Sequence, residues 1–333
     1  MIAQLDPLYI RTRPNKAVSR LLSYALFEGR PLTTKGRWIN PLVFTLFALE
    51  KRLPLLKRVK KPIFIVGTGR SGTTILGVVL SIHQDVGFLN EPKALWHAIY
   101  PNEDLIGSYS SDPARYRLGA EDVTDEISQS AHRLFGAYLT AVASKRVVDK
   151  YPELIFRASF VRAIFPDARF IFLVRNGWDT CQSIKGWSKR FGIQAEGEIH
   201  DWWGVNYRKW HLLVNQIVAT HRDFKGITEE VRNFDYQTDM AALEWIVTMR
   251  EGLRLMQEWP DSVHMLHYEE LTSNPAKSLA KVLEFCELPI DKAVFDYACE
   301  ILSPAPPHKN FDLHPAIRPL FEETMTALGY EIS

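Results

Sequence analysis

The chain has 333 residues, enough to bury the core of one large α/β domain or two smaller ones. Lys and Arg number 40 against 39 Asp and Glu, a formal net charge of +1, which excludes a protein that coats nucleic acid through bulk charge; any basic site must be local. Three cysteines, Cys181, Cys286 and Cys299, are an odd set without C-x-x-C spacing, so neither a disulfide framework nor a zinc site is expected, and a reducing compartment fits.

In chain order, the first twenty residues carry Arg11, Arg13, Lys16 and Arg20 with no apolar core and no small-residue cleavage site, so no secretion signal is expected. Residues 1–60 read as a helical extension before a main domain at 61–333. Within the extension Trp38 to Leu49 is apolar and Lys51 to Lys61 strongly basic. Pro41 and Glu50 bracket a stretch shorter than the roughly 20 residues of a membrane span. Packing as an arm on the main domain is the ordinary expectation, and contact with anionic lipid headgroups is the alternative.

Beyond Lys61 apolar strands and helical periods alternate. Strand Ile63 to Val66 precedes helix Gly72 to His83, strand Val86 to Leu89, and a polar loop from Pro101 to Asp125. A helix from about Glu126 to Ala143 leads to strand Arg146 to Lys150, then a helix from Glu153 to Phe165 stopped by Pro166-Asp167. Arg169 to Arg175 is a near-continuous apolar strand, the pattern of one buried on both faces of a parallel sheet. Val263 to His267 is a later strand, with helix Pro275 to Cys286 after Thr272-Ser273-Asn274. The alternation predicts an α/β, P-loop-like three-layer fold, a central mainly parallel sheet flanked by helices.

Gly67-Thr68-Gly69-Arg70-Ser71-Gly72-Thr73-Thr74, between strand and helix, almost reproduces the phosphate loop G-x-x-x-x-G-K-[ST]. Thr73 stands where the triphosphate-gripping lysine should be. Backbone N–H groups of a glycine-rich turn and a helix N-terminus still suit an anion.

Four further motifs follow in order: Asn90-Glu91-Pro92; Asp149-Lys150-Tyr151-Pro152; Phe165 to Gly177 running on to Ser183; and His267-Tyr268-Glu269-Glu270-Leu271. Together the five resemble the PAPS-dependent sulfotransferases, nearest in pattern to the tyrosylprotein-type and bacterial branch, over Lys61 to Ser333. The resemblance implies PAPS as donor, PAP as product and no metal. It implies that Gly69, Arg70, Ser71, Gly72, Thr73 and Thr74 hold the 5′-phosphosulfate, Arg175 and Ser183 the 3′-phosphate, and that Tyr268 lies near the cofactor. Glu91 is then the base, with Lys150 and Arg70 stabilising charge on the leaving phosphate. Lys309, in Pro306-Pro307-His308-Lys309-Asn310, is the candidate for a closing basic loop, although the tail lacks the usual arginine- and tryptophan-bearing signature.

Each residue has an ordinary reading beside this one. A strand-end arginine is commonly a surface ion pair, a strand-end lysine commonly idle, and a glutamate before proline commonly a solvated loop residue. His83, His97 and His132 are alternatives to Glu91 as base, His97 first. An acceptor-side insertion at about 187–239 holds Trp187, Trp202, Trp203, Trp210 and Tyr207; Trp202 and Trp203, with His97, are the acceptor candidates, against a core role. The implied acceptor is a small-molecule, lipid or saccharide hydroxyl. The implied protein is cytoplasmic, binds no nucleic acid, and can touch the inner face of a membrane through its arm. A P-loop small-molecule kinase and a non-catalytic PAP-binding module are the rival functions; the kinase needs a cradle lysine and an acidic magnesium ligand where Thr73 and Arg175 stand.

Overall fold

A computed structural model describes residues 2–31, 35–195, 197–308 and 310–332. Five parallel strands build the central sheet: β1 (Ile63–Gly67), β2 (Val86–Asn90), β3 (Arg146–Lys150), β4 (Arg169–Val174) and β8 (Val263–His267), in the order β2-β3-β1-β4-β8. Register is direct: Ile63 faces Val148 on one side and Arg169 on the other. Three short antiparallel strands, β5 (Ile193–Ala195), β6 (Glu198–Asp201) and β7 (Gly204–Val205), form a separate sheet inside the insertion.

Because successive strand residues point to opposite faces, the apolar strands feed two cores. Phe64, Val66, Phe170, Phe172 and Val174 join one, and Ile63, Ile65, Ile171 and Leu173 the other. The helices covering these faces, in chain order, are α1 (Pro7–Thr12), α2 (Pro14–Leu22), α3 (Asn40–Glu50), α4 (Thr73–Ser81), α5 (Lys93–Ile99), α6 (Asp125–Ala141), α7 (Ala158–Ile164), α8 (Gly177–Phe191), α9 (Arg208–Leu213), α10 (Thr228–Arg232), α11 (Gln237–Glu258), α12 (Tyr268–Ser273), α13 (Pro275–Phe285), α14 (Lys292–Ile301) and α15 (Arg318–Ala327). The helix expected from Glu153 to Phe165 is broken: a 3-10 turn, Pro152–Arg157, precedes α7, with Arg157 at φ −125° between them. Arg157 is buried and bonds Glu103 and the carbonyls of Glu103, Arg115 and Tyr116, which ties the irregular 101–125 segment to the sheet.

The N-terminal extension packs around the open edge of β2. Lys16 Nζ donates to the carbonyl of Val86 at 2.7 Å, Arg20 to that of Phe88 at 3.2 Å, and the amide of Asn90 donates to Glu28 at 2.7 Å. These are alternate residues, the ones whose backbone groups face away from β3. Side chains of the arm thus occupy the row of donors and acceptors that makes an edge strand a template for aggregation. Tyr9 and Ala17 belong to one core and Phe27, Val43 and Phe47 to the other, so the arm straddles the sheet edge. No helix among the described residues is long and apolar enough to cross a membrane.

Candidate active site

Every strand of the central sheet delivers a predicted site residue at its carboxyl end. Across the sheet these are Glu91 after β2, Lys150 ending β3, the 68–72 loop after β1, Arg175 after β4 and Tyr268 after β8. This is the edge where open parallel sheets bind ligands, because the following helices present their N-termini there.

The loop is shaped by Gly69, Arg70 and Gly72, the last two in the left-handed region. Gly72 has φ +93°, and a Cβ there would lie 2.3 Å from the Tyr268 ring. A Cβ on Gly69 would lie 2.4 Å from the Trp202 ring, so the loop is clamped between two aromatics. Arg70 has φ +72°, a conformation uncommon outside glycine. Its Nε donates to Ser183 Oγ at 3.2 Å, and Arg175 Nη1 donates to the Arg70 carbonyl at 3.2 Å. Burial lowers the Arg70 pKa, with Glu91 opposing and the neighbouring Arg175 adding to the shift. The Arg70 guanidinium is therefore held on a hydroxyl of α8, and that of Arg175 on the backbone of the loop. Arg175 also stacks on the Tyr268 ring, 4.6 Å from its centroid, while its Nε is buried without a partner. The hydroxyls of Thr68 and Ser71 are likewise buried and unpaired. Orphaned donors around like-charged arginines are costly unless an anion completes them.

Glu91 occupies a second strained position, φ +50°. Its amide donates to the Lys150 carbonyl at 2.7 Å and its carbonyl accepts from Lys93 N at 2.7 Å, which pins the turn leaving β2. The carboxylate bonds Lys150 Nζ directly and lies 3.5 Å from Lys93 Nζ. Burial alone would push its pKa up, but Lys150, Lys93 and the more distant Lys209 outweigh burial and hold it below the usual 4.5. From Lys93 the charges continue: Glu153 lies 4.0 Å from Lys93 and 3.2 Å from Lys209, and Lys209 is 2.6 Å from Glu244. Glu244 accepts from Trp202 Nε1 at 2.7 Å, and Lys209 Nζ sits 4.6 Å from the Trp202 ring centroid. Three lysines and three glutamates thus alternate from Lys150 to the tryptophan that walls the loop.

Lys93, Glu153, Lys209 and Glu244 escaped the sequence reading. Lys93 and Glu153 each directly follow a motif, the only signal available; Lys209 and Glu244 have no local signature. All but Glu244 line a cleft of about 430 Å³ together with Arg70, Glu91, Trp187, Trp202 and arm residues Tyr24 and Arg30.

The remaining candidates separate. Trp202 borders both loop and cleft, but Trp203 is fully buried, donates to Gln237 at 2.7 Å and packs on Trp210. The expectation that Trp203 meets an acceptor is corrected: neighbouring residues face opposite ways, so Trp202 takes the cleft and Trp203 the core. His97 is also displaced. It packs between Phe44 and Tyr109, one layer behind the cleft, away from Glu91. His83 bonds the Pro289 carbonyl and His132 that of Ile164, so neither is placed as a base. Glu269 is structural, accepting from Asn176 N at 2.9 Å and Tyr330 Oη at 2.8 Å at the entry to α8. Lys309 lies outside the described residues; His308 before it is tied by its amide to Asp179, 2.6 Å, and Asp179 lies 3.9 Å from Arg175. Thr73 and Thr74 open α4, whose first-turn amides have no intrahelical acceptor.

A profile of the Sulfotransferase family matches residues 62–223 and 214–292, from β1 to the start of α14. The chain belongs to the sulfotransferase family. It is similar to a protein-tyrosine sulfotransferase of Drosophila melanogaster, 23% identical over 254 residues, covering 75% of this chain and 41% of the relative. Against protein-tyrosine sulfotransferase 1 of Homo sapiens it is 30% identical over 144 residues, 41% of this chain and 35% of the relative. The chain therefore matches less than half of either relative. A sulfotransferase domain from the curacin biosynthetic pathway shares the fold, with TM-score 0.50 at 15% identity over 83% of this chain and all of that one.

Proposed function

We propose that this sulfotransferase moves the sulfuryl group of PAPS to a hydroxyl of a small-molecule, lipid or saccharide acceptor. The observation that carries the reading is the strand-end row, with a two-arginine anion site on one side of β1 and a glutamate–lysine pair on the other. The residues fit the donor: the unpaired hydroxyls of Thr68 and Ser71 and the N-terminus of α4 suit a 5′-phosphosulfate, and the unpaired Arg175 Nε suits a 3′-phosphate, with Ser183, bonded to Arg70 Nε, as the second candidate there.

In this reading Glu91 accepts the proton of the acceptor hydroxyl as the new S–O bond forms, and Lys150 and Arg70 hold the charge left on the 5′-phosphate as the old S–O bond breaks. The ion pair seen between Lys150 and Glu91 keeps the base ionised before the donor binds. Engagement of Lys150 by the donor then frees the carboxylate for the hydroxyl, with Lys93 still steadying it. Trp202 would form the wall shared by donor and acceptor.

Glu91→Gln tests this directly. Binding of PAP should persist while turnover falls by about two or more orders of magnitude, the ordinary size of an acid–base contribution. Near-normal turnover would remove Glu91 from the base role.

A further inference from the structure

Among the described residues fifteen large hydrophobic side chains are exposed, and six of them fall between residues 38 and 56: Trp38, Leu42, Leu49, Leu53, Leu55 and Leu56. Leu42 and Leu49 lie on α3, which is apolar on its outward as well as its inward side apart from Thr45, while Trp38 precedes the helix and Leu53, Leu55 and Leu56 follow it. Val43 and Phe47 enter the core, but Trp38, at the helix entry, stays 82% exposed, and Leu42 and Leu49 point outward about half exposed. A helix apolar on every side ordinarily has both faces covered. Lys35, Arg37, Arg52, Arg58 and Lys60 are exposed in the same stretch of chain, and exposed Glu126 of α6 lies near Lys51. The only carboxylate between residues 35 and 61 is Glu50, which is half-buried and whose pKa burial raises to about 7.

The patch also reaches the cleft. Phe44, on the inner side of α3, packs 5.5 Å from Tyr109, and Tyr109 lines the cleft. Arg37 and Ile193 line one side cavity, and Ile193 belongs to a second exposed apolar group with Phe191 and Ile199, next to exposed Lys189 and Arg190.

We propose that α3 and residues 51–60 dock the molecule on an anionic bilayer surface, with Trp38 and the leucines at the acyl boundary and the basic residues at the headgroups. Apolar anchors ringed by arginine and lysine match that surface in both polarity and charge. An 11-residue helix, about 16 Å long, can lie in the interface but not span it. Resting on the sulfotransferase reading, this places the cleft beside the membrane and favours an acceptor hydroxyl carried by a lipid.

Sedimentation of the full chain with vesicles of phosphatidylcholine alone, and of phosphatidylcholine with phosphatidylserine, tests the docking. Binding should require phosphatidylserine and fade at high salt. The double variant Arg52→Glu, Arg58→Glu should weaken it about a hundredfold or more, since each basic residue near an anionic surface contributes roughly a fivefold factor. Trp38→Ser with Leu42→Ser should also abolish sedimentation, and both variants should bind PAP as the parent does, showing that they fold. Absence of binding to phosphatidylserine vesicles, or binding indifferent to both variants, would overturn the proposal. So would self-association of the parent chain that Trp38→Ser with Leu42→Ser abolishes, which would assign the patch to a second copy. A chain that binds vesicles but not PAP would instead count against the donor site alone.

Discussion

Glu91 holds a φ of +50° that a glutamate rarely adopts, and two backbone hydrogen bonds fix it there with its carboxylate between two lysines. Strain of this kind is sustained by its surroundings and clusters at functional sites. The electrostatics give a signed expectation. With its pKa held below 4.5, the carboxylate stays ionised as pH falls to that value, and kcat/KM should keep level until pH drops further. Removing the Lys93 charge by Lys93→Met lets burial push the pKa up. The acid limb of the kcat/KM profile should therefore move to higher pH, and an unmoved limb would show that Lys93 does not tune Glu91 in the proposed base role. Lys93 was not legible in the sequence as a partner of Glu91. Two residues apart, the side chains meet only because the Glu91 turn folds the chain back at the end of β2.

At the scale of elements, the strands were the most legible part. Arg146–Lys150 and Val263–His267 have the bounds expected from the sequence, and β4 is buried along nearly its whole length as a central parallel strand should be. The phosphate-type loop was legible because a glycine-rich turn between an apolar strand and a helix is a local pattern, although the rings that require its glycines, Trp202 and Tyr268, are distant in sequence. Gly72→Ala should lower PAP affinity roughly tenfold or more, since it adds positive-φ strain to a collision with Tyr268. Titration calorimetry would read the loss, and unchanged affinity would mean that the loop does not hold the donor. The edge contacts of the arm could not be read. Lys16 and Arg20 bond backbone carbonyls some seventy residues away, and nothing in side-chain identity signals such partners. Arg20 and Glu28 form a buried pair, and Arg20→Met leaves Glu28 uncompensated. Urea unfolding should show a loss of about 3 to 5 kcal/mol, the usual cost of breaking a buried pair from one side. A loss under about 1 kcal/mol would mark the contact as incidental.

Seen as a whole, the molecule joins the N-terminal extension to the sulfotransferase domain through both cores. The sequence division at residue 60 follows a change of composition, whereas the packing crosses it. A chain starting at Pro62 would expose the β2 edge and the core places filled by Tyr9, Phe27 and Phe47. It should aggregate, and a soluble 62–333 fragment with a cooperative unfolding transition would show the arm to be dispensable. The same reach across the molecule explains why the charge chain from Lys150 to Glu244 was invisible: its members come from β3, the turn after β2, the start of α5, the 3-10 turn at Pro152–Arg157, α9 and α11. Only the fold brings them within ion-pair distance.

The most direct measurement is a calorimetric titration of PAP into the full chain with chelator present and no divalent metal. PAP should bind, and Arg70→Ala and Arg175→Ala should each weaken it about tenfold or more, as expected for loss of charge-assisted hydrogen bonds. Absence of PAP binding, or binding of ATP with magnesium that neither substitution alters, would contradict a donor site built from these strand ends.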